Sequence, residues 1–168
     1  MPATYEPIAT TTLGSATSIV TFSDIPQTYT DLRFIISTKE TATGTGTAEN
    51  LLVRVNTTLP TQSQTKLKGD GSSATSSRLT SQSYGKIEIP FTGGQFNLVT
   101  IDFFNYTGST NKTYLSTASN DLNGSGSVTR VVHLIQTTAA ISNRVQFEAG
   151  NTSFASGSTF TLYGIKAA

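Results

Sequence analysis

Apolar side chains in this chain recur at every second position in short runs, and nowhere sustain the i, i+3, i+4, i+7 spacing of an amphipathic helix. That period fits a pleated strand with one face buried. Asp31–Thr38 places Leu32, Phe34 and Ile36 on one face. Leu51–Asn56 turns Leu51, Val53 and Val55 inward and Arg54 outward. Gly85–Ile89 alternates and stops at Pro90, which cannot donate to a ladder. Ser18–Ser23, Asn97–Tyr106, Lys112–Thr117, Val128–Gln136, Arg144–Glu148 and Ser158–Ile165 complete a set of eight or nine strands. At most, Thr137–Ser142 forms a short helical turn. Many short strands separated by turn residues predict an all-β, single-domain antiparallel β-sandwich, with an eight-stranded jelly roll the nearest count match.

Three stretches fall outside this pattern. Residues 1–16 read as an extended N-terminal arm, because Tyr5, Pro7 and Ile8 have no evident local partners. Residues 39–50 and 60–83 read as long Ser/Thr/Gly-rich loops attached to a sandwich spanning 17–168. Composition agrees with a β-protein. The 168 residues include 31 Thr and 20 Ser, only 12 % are charged, and the net charge is +1. Threonine suits a pleated sheet, and hydroxyls supply polarity without ions.

The same composition excludes several kinds of chemistry. With no Cys there is no disulfide scaffold, thiolate metal site or cysteine nucleophile. One His excludes a site built on two imidazoles. A near-zero net charge without a basic cluster argues against nucleic acid as the partner. The apolar stretch Val131–Ile135 is far shorter than the ~20 residues of a spanning helix, so no membrane partner is expected. The opening Met1-Pro2-Ala3-Thr4-Tyr5-Glu6-Pro7 has neither the basic nor the apolar region of a signal peptide.

Candidate sites are weak. His133 lies among Val131, Val132, Leu134 and Ile135 with no G-x-S-x-G elbow in the chain, and reads as a strand histidine. The ten carboxylates show no spacing that selects a catalytic pair. Asp24, Asp70 and Asp121 stand beside Pro, Gly or Asn and read as turn residues. Neither Gly69-Asp70-Gly71-Ser72 nor Asn120-Asp121-Leu122-Asn123-Gly124 matches a calcium loop, and no glycine pattern cradles phosphate. The chain therefore reads as a non-enzyme with no catalytic, cofactor or metal residues. Aromatics remain: Phe34, Phe103, Phe147 and Phe160 as core, with tyrosines around its rim or in an interface.

Two ends of the chain carry a resemblance. Tyr5-Glu6-Pro7-Ile8-Ala9-Thr10-Thr11-Thr12-Leu13-Gly14-Ser15 runs on to Ile19–Leu32, and Gly157-Ser158-Thr159-Phe160-Thr161-Leu162-Tyr163-Gly164-Ile165-Lys166 stands near the far end. With Phe104-Asn105-Tyr106 and Lys112, they resemble small virion structural proteins of tailed bacteriophages, including those of cyanobacteria. The resemblance implies a virion protein assembled in the host cytoplasm. Its partners would be other virion proteins, the major capsid protein first, and copies of itself, most simply as a homotrimer. It points first to a decoration (cement) protein on the outer head, since the chain has a start Met and no fibre-like repeat. The alternative is a tail-fibre or spike module holding host-surface glycan. Tyr5, Pro7, Ile8, Tyr84 and Tyr163 are the candidate assembly contacts.

Overall fold

The alternation read in the sequence becomes an alternation of burial. On Asp31–Thr38, Leu32, Phe34, Ile36 and Thr38 are buried while the residues between them are partly exposed. The same rhythm governs Ile19–Ser23, Asn97–Phe104, Arg144–Ala149 and Thr159–Ile165. The computed structural model describes residues 4–41, 49–89, 95–121 and 126–166. Within them run twelve strands: β1 (Tyr5–Thr12), β2 (Ile19–Ser23), β3 (Asp31–Thr38), β4 (Glu49–Val55), β5 (Gln62–Gly69), β6 (Ala74–Gln82), β7 (Gly85–Ile89), β8 (Asn97–Phe104), β9 (Lys112–Asp121), β10 (Gly126–Ile135), β11 (Arg144–Ala149) and β12 (Thr159–Ile165). No helix occurs among the described residues, and residues 137–142 bend without forming a helical turn.

All ladders are antiparallel. One sheet has eight strands in the order β1-β12-β3-β8-β9-β10-β5-β6, and the other has four in the order β2-β11-β4-β7. Without β5, β6, β9 and β10, the larger sheet reduces to β1-β12-β3-β8, facing β2-β11-β4-β7. Among these eight strands the chain changes sheet at β1→β2, β2→β3, β3→β4, β7→β8, β8→β11 and β11→β12. That connectivity is compatible with a jelly roll. The hairpins β5–β6 and β9–β10 are insertions that widen only one of its sheets.

Phe34 on β3 joins the sheets. Its ring meets Phe22 at 5.3 Å and Phe147 at 4.9 Å on the smaller sheet, and Phe103 at 6.0 Å on its own, all edge to face. The inserted half is held differently, by polar groups. The Gln64 amide donates to Lys86 O at 2.8 Å and accepts from Lys86 N at 2.7 Å, pairing with β7 much as a backbone would. Gln62 donates to Val53 O and accepts from the Tyr114 hydroxyl, and Lys66 pairs with Glu88.

Three strands depart from the sequence expectation. Residues 60–83 are not a loop but carry β5 and β6. β5 turns Gln62, Gln64 and Lys66 inward, so its alternation is polar on both faces. β6 is exposed along nearly its whole length and has no inner face to mark it. Within the extended arm expected at 1–16, Tyr5–Thr12 form β1, which closes the edge of the larger sheet against β12, from Tyr5↔Ile165 to Thr12↔Thr159. Pro7 and a register shift between Pro7 and Ala9 break its period. The loop read at 39–50 lies largely outside the described residues, although Glu40 bridges Phe154 and β4 begins at Glu49.

Replacing Phe34 with Ala is expected to cost about 3–5 kcal/mol of unfolding free energy, because it empties the contact between the sheets. Leu79→Thr on exposed β6 is expected to stay within about 0.5 kcal/mol. Urea unfolding of the two variants measures both.

Candidate functional site

Once the inward residues are fixed, the register fixes the outward ones. Across the eight-stranded sheet one outer row reads Thr10, Thr161, Ile35, Thr100, Thr117, Arg130, Leu67, Ser76. A neighbouring row runs from Thr12 and Thr159 to Leu98, Ser119 and Val128, and another from Tyr163, Arg33 and Asp102 to Leu115, Val132 and Thr65. The β1 side of this face is a hydroxyl surface, with Thr10 Oγ1 donating to Thr161 Oγ1 at 3.2 Å. The β10–β5 side is aliphatic, with Leu67 60 %, Val132 57 % and Val128 47 % exposed. Two open hollows lie there. Thr65, Leu67, Leu115, Arg130 and Val132 line about 410 Å³, and Leu67, Val128, Arg130, Ala74 and Ser76 are among the residues around about 430 Å³.

The five assembly candidates do not form one site. Tyr5 stacks on Tyr163 with ring centres 4.6 Å apart, and Pro7 lies opposite Tyr163 on the neighbouring strand. Arg33, in register with Tyr163, pairs with Asp102 at 2.5 Å. Burial raises the Tyr5 phenol above its usual range, against the opposing pull of Arg33. Ile8 sits at the register shift and packs against the core. Tyr84 lies apart from these, under the Arg54 guanidinium at 5.3 Å, and Arg54 Nε donates to Glu148 at 2.9 Å. Tyr106 and Tyr114 are fully buried, so the tyrosines do not make a continuous platform.

His133 is a buried ionisable group. It faces inward from β10, stacked on Tyr114 at 4.0 Å, with Nε2 sharing a hydrogen bond with Ser116 Oγ at 3.1 Å. Gly85 closes over the pair, where an added Cβ would stand 1.6 Å from the Tyr114 hydroxyl. Desolvation pushes the His133 imidazole down to about 3 and the Tyr114 phenol well up. Among the described residues no carboxylate bonds the imidazole, its Nδ1 has no hydrogen-bond partner, and the pair is buried, so they form no hydrolytic triad here. Asp70 accepts from the backbone and hydroxyls of Ser72 and Ser73 at the β5–β6 turn, which holds its carboxyl far below the usual range. Among the described residues no three His, Asp or Glu side chains gather to hold a metal ion.

Of the segments that carry the sequence resemblance, β1 and β12 pair in the larger sheet, β2 lies in the smaller one, and Asp31 and Leu32 open β3 beside β12. Asn105 N–H donates to Asp31 Oδ1 at 2.7 Å, the Tyr106 hydroxyl donates to Pro26 O, and Lys112 Nζ caps Gly108 O at 2.6 Å. They form structural joints rather than a site. Comparison with protein-family models and with curated proteins finds no match.

Above pH 6.5 His133 is neutral folded or unfolded. As pH falls from 6.5 toward 3 the unfolded chain takes up the proton and the folded chain does not, so stability drops by up to about 1.4 kcal/mol per pH unit. His133→Phe is expected to flatten that slope between pH 6.5 and 5, where carboxylates contribute little. Urea unfolding across that range reads it.

Proposed function

We propose that this chain is a structural protein of a tailed-phage virion, most simply a decoration protein that binds the outer head as a homotrimer and strengthens contacts between capsomers. In this reading it works by contact rather than catalysis, in a particle assembled in the host cytoplasm. The observation that carries the reading is the outer face of the eight-stranded sheet, broad, hydroxyl-lined and aliphatic toward β5 and β10. Such a face favours contact with protein over water. The resemblance of residues 5–15, 19–32 and 157–166, with Phe104-Asn105-Tyr106 and Lys112, to phage virion proteins suggests the particle. The tail-fibre reading asks for a tyrosine platform for glycan, and Tyr106 and Tyr114 are buried while Tyr84 lies away from the Tyr5–Tyr163 stack.

Quantitative mass spectrometry of purified virions is expected to find the chain in copy numbers comparable with the coat protein. A handful of copies per particle, co-purifying with tails, would reverse the assignment.

A further inference from the structure

The inserted strands give the larger sheet an outer surface that no other described part of the fold covers. At its centre Arg130 stands between the two hollows, bordered by Leu67, Val128 and Val132. Arg78 projects from the same face two strands away, opposite Thr65, which is itself opposite Val132. Four cations elsewhere pair with carboxylates, as Arg33–Asp102, Arg54–Glu148, Lys66–Glu88 and Lys166–Glu6, while Lys112 and Arg144 donate to backbone carbonyls. Neither Arg78 nor Arg130 has a carboxylate partner among the described residues. The surface is thus aliphatic and positively charged together.

We infer that this surface receives a segment of a partner protein carrying carboxylates between aliphatic side chains, laid across β10 and β5 with its acidic groups on Arg130 and Arg78. Aliphatic contact supplies the buried area, and the guanidiniums select the sign of the partner and can hold a carboxylate by two parallel bonds. A two-fold pairing of copies through this face would bring like charges together, which disfavours it against an acidic partner segment. The inference rests on the assembly reading above and adds the place and chemistry of the contact.

The probe is a synthetic peptide of alternating Leu and Glu, titrated into the isotope-labelled full chain by NMR beside a matched peptide of Leu and Lys. The Glu peptide is expected to move the amides of Leu67, Val128, Arg130 and Val132, and the Lys peptide to leave them in place. Arg130→Glu should weaken the Glu peptide about tenfold or more and admit the Lys peptide. Val132→Thr, which keeps the charge, should weaken the Glu peptide less. No binding, equal response to both peptides, shifts away from these strands, or concentration-dependent self-association through the same amides would each overturn the inference. Peptide binding together with failure of the full chain to sediment with phage heads supports this inference while removing the head-decoration reading.

Discussion

The contact of Phe34 with Phe22 and Phe147 fixes which side of each strand is inward. A strand's side chains alternate with period two, so a one-residue slip of β3 would bring Arg33 and Ile35 into the core and put Phe34 in water. Aromatic packing between the sheets makes that slip prohibitive. β3 pairs with both β12 and β8, so its register passes outward to the rest of the larger sheet. The threonine rows on the outer surface are therefore a consequence of the phenylalanines beneath them.

The sheets differ in width. Four strands cannot cover eight. Where the smaller sheet ends at β7, the larger one continues through β5 and β6, and Gln62, Gln64 and Lys66 bind its inner side to β4 and β7. A buried amide that meets backbone donors and acceptors avoids the cost of an unsatisfied polar group, so this half tolerates a polar underside. Its upper side keeps Leu67, Val128 and Val132 exposed. The core thus ends on polar stitching, while the aliphatic side chains on the opposite face of the same strands stay exposed.

The core strands were legible in the sequence because their inward residues are Phe, Ile, Leu and Val at alternate positions. β2, β3, β4, β7, β8, β11 and β12 all follow that rule. β1, β5 and β6 were not legible, each for a separate reason: a proline and a register shift, an inner face of Gln and Lys, and exposure on both sides. Gln64 could have been suspected only from its partner on β7, which is distant in sequence. Tyr5, Pro7 and Tyr163 come together only through the β1–β12 ladder, which no local pattern announces, and Tyr84 lies elsewhere. The outer face itself could not be read, because Leu67, Val128 and Val132 come from two strands whose pairing only the fold reveals.

The most direct measurement is a cryo-EM map of the intact particle at a resolution that traces strands. The account predicts the eight-stranded sheet lying with its outer face, at β10 and β5, against density of the coat protein on the outside of the head. Density that places this face in solvent, or places the chain at the tail with the Tyr5–Tyr163 edge exposed to the host, would contradict it.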